Sequence, residues 1–260
     1  MRTLLFVVAA SLSCFCHAQT VGSQASAEDK SGGQIVIPEG KEVLADSSYY
    51  RNGDITSVTI PASVNHIGRY VFGHCFKLSS IEVDKDNPNY KSIDGVVYSK
   101  DGKTLVLCPA GRTGHFSVPH HATTIAPYAF YSCKKLKTIS LAQGTTEIPD
   151  GAFAGCWGLE DVKMPQGLKR IGRRAFDGTI IQQMNFPTSM EYIADSAFVN
   201  TSIVEVNLKV TEPFELGDNV FSEIHVTRLN VPSAGLQKFK AHPKWGRFGR
   251  ITPTHSYWNK

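Results

Sequence analysis

The sequence predicts a parallel β-solenoid of about nine coils. Three observations predict it: a strand-like step recurring at a nearly fixed interval, proline after most of those steps, and further residue columns that keep the same period. The steps are Val36-Ile37-Pro38, Val58-Thr59-Ile60-Pro61, Ile81-Glu82-Val83, Phe116-Ser117-Val118-Pro119, Ile139-Ser140-Leu141, Val162-Lys163-Met164-Pro165, Met184-Asn185-Phe186-Pro187, Val206-Asn207-Leu208 and Leu229-Asn230-Val231-Pro232. Read at the last apolar residue, the intervals are 23, 23, 35, 23, 23, 22, 22 and 23. A fixed period of this size marks a chain in which each unit buries its apolar face only against its neighbours.

Each element of a coil has a reason. The apolar–x–apolar step is a short strand with its apolar pair inward and its middle residue outward. Proline ends it, because proline brings no N–H to the ladder. Seven residues on stands a second apolar column: Leu44, Ile67, Ile125, Ile148, Ile171 and Ile193. Five further stands an aromatic column: Tyr49, Phe72, Phe130, Phe153, Phe176 and Phe198, with Phe221 later. Stacked rings there bury roughly 150–250 Å² each. Alanine before four of the phenylalanines predicts a tight helical or 3₁₀ turn. A small column follows: Asn52, Cys75, Cys133, Cys156, Thr179 and Thr201.

The run Ile-Pro-x5-Ile-Gly-x-x-Ala-Phe-x-x-Cys-x-x-Leu resembles the BspA-type leucine-rich repeat of bacterial surface proteins. Ile125 to Leu136, Ile148 to Leu159 and Ile171 to Phe176 carry the resemblance, which covers about residues 35–252. It implies a right-handed leucine-rich-repeat solenoid, mostly β with short 3₁₀/α turns, on an exported protein. Some such proteins look like adhesins for host matrix or other cells. The resemblance implies no catalytic residues.

The long interval holds two β-rich runs around Lys100-Asp101-Gly102-Lys103, so an inserted β-hairpin is expected over about residues 87–108. It should replace the missing Ile-Gly and Ala-Phe columns, or project as an edge for a partner. A C-terminal cap is expected over about 233–252. There Leu236, Phe239, Trp245, Phe248 and Ile251 alternate with Lys238, Lys240, Lys244, Arg247 and Arg250. A tail follows at 253–260. Residues 1–18 read as a secretory signal, with cleavage expected after Ala18. Residues 19–33 read as a flexible tether and 34–252 as the solenoid. The residues before Cys14 and Cys16 fit a lipid-anchor signal poorly, and no segment is long enough to span a membrane.

Several chemistries find no support. The net charge of +4 is too small to make nucleic acid the expected partner. No His-Glu-x-x-His, Gly-x-Ser-x-Gly or phosphate-binding glycine loop is present. Asp84, Asp86 and Asn89 lack the glycine and distal glutamate of a calcium loop. No Cys-x-x-Cys pair points to zinc. The expectation is therefore no enzyme, no cofactor and no metal. Cys75, Cys133 and Cys156 belong to the small column, which argues for buried thiols. Cys133 and Cys156, on adjacent coils, are near enough for a disulfide but point the same way.

What remains is surface. The outward strand residues include Ser80, Glu82, Thr138, Ser140, Asp161, Lys163, Gln183, Asn185, Glu205, Asn207, Arg228 and Asn230. The face has no aromatic residue, and Arg228 is its one residue of a usual hot-spot type. It suits a protein ligand, such as a host matrix or cell-surface protein, held by many hydrogen bonds. The alternative is a glycan-binding component of a nutrient-uptake system at the cell surface. That would need aromatic platforms on loops, for which Tyr49, Tyr50, Tyr90, Tyr98 and Trp157 are the candidates.

Overall fold

The structure is a computed structural model that describes residues 28–30, 33–221 and 228–254. The expected signal peptide and its cysteines lie outside the described residues.

All nine steps are strands: Gln34–Val36, Ser57–Ile60, Ser80–Val83, Thr113–Ser117, Lys135–Ser140, Asp161–Lys163, Gln183–Asn185, Glu205–Asn207 and Arg228–Pro232. Where successive strands pair they are parallel and in register, as at Val58↔Ile81, Ile139↔Val162 and Val206↔Leu229. Inward residues are buried, apart from the half-buried Val83 and Met164, and outward ones are not, as the alternation requires. The second apolar column forms its own short parallel ladder, with Ile148, Ile171, Ile193 and Leu216 in register.

The aromatic column is a continuous stack in the C-terminal coils. Ring centroids are 5.2 Å apart at Phe130–Phe153, 5.3 Å at Phe153–Phe176, 5.0 Å at Phe176–Phe198 and 5.4 Å at Phe198–Phe221. The small column satisfies the backbone beside this stack. The Cys75 thiol donates to the Tyr49 carbonyl (3.1 Å), and the Cys156 thiol to the Phe130 carbonyl (3.0 Å). The Ile-Gly step has an equally local cause. The carboxylates of Asp46, Asp150 and Asp195 each accept the backbone N–H of the residue after the next coil's glycine. A Cβ at Gly172 would stand 2.5 Å from the Asp150 nitrogen.

Each aromatic turn from Tyr49 to Phe198 also carries two left-handed residues, two positions before and two after the ring. Tyr70 (φ 57°) and His74 (φ 61°) flank Phe72, and Tyr128 and Ser132 flank Phe130. Around Phe153, Gly151 and Gly155 take these positions. An L-residue there costs about 1–2 kcal/mol, so the bulky residues hold strain that the stack must offset.

The insert departs from the expected single hairpin. It is a three-stranded antiparallel meander: Tyr90–Ile93, Val96–Ser99 and Thr104–Leu107. Asp94-Gly95 makes a two-residue turn, with both residues left-handed (φ 50° and 74°), as such a hairpin demands. The insert is no free projection. Val96, Val97 and Tyr98 are all buried, and the central strand separates two cores. Val97 faces the N-terminal core; Val96 and Tyr98 face the C-terminal one. Leu105 pairs in register with Ile125 and so supplies the second apolar column. The Cys108 N–H donates to the Ala129 carbonyl (2.8 Å), as the Phe153 N–H does to Ala175 (2.8 Å), so Cys108 takes the aromatic position. The chain reaches it three residues after Leu105, not five, and neither flanking position, Val106 nor Ala110, is left-handed. Asn87 anchors the meander. Fully buried, its amide donates to the carbonyls of Pro61 and Val64 (2.8 and 2.9 Å) and its oxygen accepts from Asn89 and Tyr90.

Both ends are closed. Glu28–Lys30, within the expected tether, is a strand antiparallel to Gln34–Val36. At the other end the helix Leu236–Ala241 and the turn Trp245–Arg247 cover the stack. Trp245 is fully buried, donates to the Phe214 carbonyl (2.8 Å), and with Phe248 packs on Phe221. The strand Ile251–Thr254 extends the ladder past the expected cap boundary. Lys244 is spent on the carbonyls of Leu216 and Gly217 and on Asp218, while Lys240, Arg247 and Arg250 remain exposed.

Phe153→Ala should cost about 3–5 kcal/mol, since it cuts the stack between two rings; chemical denaturation measures this. Asn87→Ala leaves two buried carbonyls unpaired, and a loss of about 2–4 kcal/mol is expected from the same measurement. A neutral result for either would contradict the packing described.

Candidate functional site

The strand face is a hydrogen-bonded surface that runs across coils. The twelve outward residues singled out from the sequence are all at least partly exposed. Nine of them join three hydrogen-bonded groups. In the first, Ser80 and Ser92 both donate to the Glu82 carboxylate (2.7 and 2.9 Å), which ties the face to the meander. In the second, His115 bridges Thr138 (2.7 Å) and Ser117 (2.9 Å). The third is the longest. Asn185, Asn207, Asn230 and Thr252 link in sequence through side chains at 2.9, 2.7 and 2.6 Å. Beside them Gln183, Arg228 and Asn230 all donate to the Glu205 carboxylate.

Asp161 and Lys163 differ from their neighbours. Neither makes a side-chain hydrogen bond or an ion pair among the described residues. They lie where the main ladder is interrupted: Asp161–Lys163 does not pair with Gln183–Asn185. The interruption coincides with a lost residue. Leu136 and Leu159 follow the small column by three positions, whereas Ile181 and Ile203 follow it by two. The strand face thus divides, with free charges on one side of the gap and a satisfied amide ladder on the other.

At its C-terminal end the ladder opens into a groove of about 540 Å³ lined by Glu205, Arg228, Asn230, Arg250, Thr252, Pro253 and Thr254. The Glu205–Arg228 pair (3.3 Å) forms one wall. Sequence reasoning placed Glu205, Arg228 and Asn230 on this face, put Arg250 on the basic side of the cap and passed over Thr252. The pairing of Ile251–Thr254 with Arg228–Pro232 brings Arg250 and Thr252 in, and no period marks that strand. Its lining carries polar side chains of both hydrogen-bonding senses beside exposed apolar surface.

The loop aromatics do not form the expected platforms. Tyr49 stacks on Phe72 (5.2 Å), Tyr98 is buried, and the Tyr90 hydroxyl donates to the Asn65 carbonyl (3.3 Å). Tyr50 and Trp157 instead join a cluster with Tyr70, His74, Phe76, Tyr128 and Tyr131, residues that sequence reasoning passed over. Burial, with the neighbouring Tyr128 phenol, raises the Tyr70 pKa. Burial, with the Tyr50 phenol beside it, pushes Tyr131 up to about 12. Burial and the charges of Arg51 and Lys134 lower the pKa of His74.

The four thiols of the solenoid are free and buried. Cys133 lies between the sulfurs of Cys108 and Cys156; these contacts, then burial, hold its pKa well above the ordinary value, and burial pushes Cys75 up to about 11. Among the described residues no group of three His, Cys, Asp or Glu side chains is placed to hold a metal ion, and no helix is long and apolar enough to cross a membrane.

The BspA-type leucine-rich repeat region matches residues 17–101 and 113–227 in six copies. The chain belongs to that family. Its fold is also that of several solved bacterial proteins. The pneumococcal vaccine antigen PcpA is 22% identical with a TM-score of 0.65, over 82% of this chain and 59% of that one. A leucine-rich cell surface protein of Faecalibacterium prausnitzii is 23% identical with a TM-score of 0.58, over 86% and 60%. A leucine-rich repeat protein of Eubacterium ventriosum is 20% identical with a TM-score of 0.55, over 87% and 67%. This chain therefore spans about three-fifths of the first two structures. At these identities the likeness is one of fold. No curated protein matches the chain.

The thiols of Cys75, Cys108, Cys133 and Cys156 should resist a bulky thiol reagent in the native protein and react after denaturation. Mass spectrometry of the labelled peptides checks this, and fast labelling of native Cys133 would contradict the burial.

Proposed function

We propose that this repeat region is a protein-recognition module of an exported bacterial surface protein, acting in adhesion and binding through its strand face. The observation that carries the reading is the C-terminal half of that face. There Gln183, Asn185, Glu205, Asn207, Arg228 and Asn230 are locked together across coils and end in the groove. A surface whose rotamers are already fixed loses little side-chain entropy on association. The charges of Asp161 and Lys163, unpaired among the described residues, are available to a partner. A ligand would lie across several strands and exchange water for hydrogen bonds along the amide ladder. The names of the similar structures, a vaccine antigen and a cell surface protein, support a surface location. The apolar stretch Leu4 to Ala10 after Arg2 supports export.

The test is binding of the purified chain to a panel of immobilised extracellular-matrix proteins by surface plasmon resonance. Saturable binding to at least one is expected. The triple variant Asp161→Lys, Lys163→Glu, Arg228→Glu should weaken it at least tenfold, about 1.4 kcal/mol or more. Undiminished affinity in that variant would place the binding elsewhere.

A further inference from the structure

The aromatic cluster lies on a different arc of the coil from the strand face. It occupies the turns between the second apolar column and the next main strand. Its centre is a bridge over the shortened insert coil. Because that coil lacks both left-handed residues, Tyr70 from the coil before it meets Tyr128 (4.5 Å) and Tyr131 (4.6 Å) from the coil after it. Filling this gap explains those three rings. It does not explain the rest. His74 packs on Phe76, Tyr131 and Trp157 (5.3, 5.7 and 5.8 Å), and Phe76 lies 6.3 Å from Trp157. Trp157 remains 50% exposed, the most exposed large apolar side chain among the described residues.

Three cations border these rings. Lys134 Nζ sits 3.7 Å from the Phe76 centroid, and the guanidinium groups of Arg51 and Arg69 lie 5.4 and 5.8 Å over Tyr50 and Tyr128. None of the three is in an ion pair among the described residues, whereas Lys77, Lys137, Lys169, Arg174, Arg228, Lys238 and Lys244 each are. Carboxylates of the same arc form no ion pair with these three cations among the described residues. Asp46 and Asp150 accept backbone N–H groups, Asp54 pairs with Lys77, and Asp177 holds Arg174 and Asn200. The cluster therefore presents apolar rings and unneutralised positive charge together. Tyrosine, tryptophan and arginine are also the residues that carry most binding energy at protein interfaces.

The ring geometry bears on the class of partner. In the core stack the rings are nearly parallel, within 28°. In the surface cluster every interplanar angle lies between 51° and 80°. Such edge-to-face packing leaves notches between rings and no flat run on which successive sugars or bases can stack. Notches suit the separate side chains of a polypeptide.

We propose that Trp157, Phe76 and His74, bordered by Lys134, Arg51 and Arg69, form a second docking surface for an acidic polypeptide segment, whose carboxylates neutralise the three cations while its apolar side chains enter the notches beside Trp157. The surface is separate from the strand face and does not depend on that face binding anything.

The test is selection of random 12-residue peptides displayed on phage against the full-length chain. Synthetic copies of the best binders are then titrated against variants by fluorescence anisotropy. Selected peptides should be enriched in Asp and Glu together with apolar residues. Their affinity should fall at least tenfold in Trp157→Ala and in Lys134→Glu, and should be unchanged in Asp161→Lys/Lys163→Glu. Trp157 is a surface residue, so its variant should keep the wild-type melting temperature; Lys134→Glu provides an independent second perturbation. Peptides without acidic enrichment, or affinities indifferent to both substitutions, would overturn the proposal. So would an array on which acidic glycans bind through Trp157 while no peptide is selected.

Discussion

No coil of this chain has a core of its own. A single coil contributes two inward strand residues, one residue of the second apolar column and one ring, all of which are buried only by the coils before and after it. The stacked aromatic column is the interaction on which the rest depends. It holds successive turns about 5 Å apart at the rings, which brings the strands within ladder distance. That spacing in turn lets the Cys75 and Cys156 thiols reach the previous coil's carbonyl and lets Asp150 reach the Arg173 N–H. Energetically the structure approximates a row of like units coupled to their neighbours. Anything that interrupts the row must supply an equivalent surface on both sides.

The meander meets that demand. Its strand Val96–Ser99 gives Val97 to one core and Val96 and Tyr98 to the other, so the row continues through an element of different architecture. Leu105 and Cys108 restore the second apolar and the ring positions, the latter with a small side chain where other coils have Phe or Tyr. The shortened turn has a consequence at the surface. Tyr70 meets Tyr128 and Tyr131 across a coil that fails to reach outward between them. A change that stacking tolerates in the core thus produces the most aromatic patch described on the outside.

Much of this was legible in the sequence, because stacking imposes period. A residue that touches its counterparts in the neighbouring coils must recur every 22 or 23 positions, which is why the strand steps, the Ile column, the rings and the small column could be assigned one by one. What was illegible lacks a period. The run Val96-Val97-Tyr98 shows no in–out alternation because both of its faces are buried, so it did not reveal itself as a partition. Tyr70 and Tyr128 lie in left-handed turn positions held by residues as different as Ser47, Gly151 and Arg174 in other coils, so no period marks them as rings, and Thr252 lies on a strand beyond the last repeat. The outward strand residues were named correctly as a surface. Their division into a bonded amide ladder and an unbonded Asp161–Lys163 pair coincides with the first of two intervals of 22; the second leaves the ladder intact, since Gln183–Asn185 pairs with Glu205–Asn207, so the interval alone did not reveal the break.

The meander is an internal wall shared by two cores. Native-state hydrogen exchange resolved by residue tests that claim most directly. The amides of Val96–Ser99 should exchange as slowly as those of the flanking ladder strands Ser80–Val83 and Lys135–Ser140, and should lose protection together with them as denaturant is added. Exchange of Val96–Ser99 at the rate of an exposed hairpin, while the flanking strands stay protected, would contradict it.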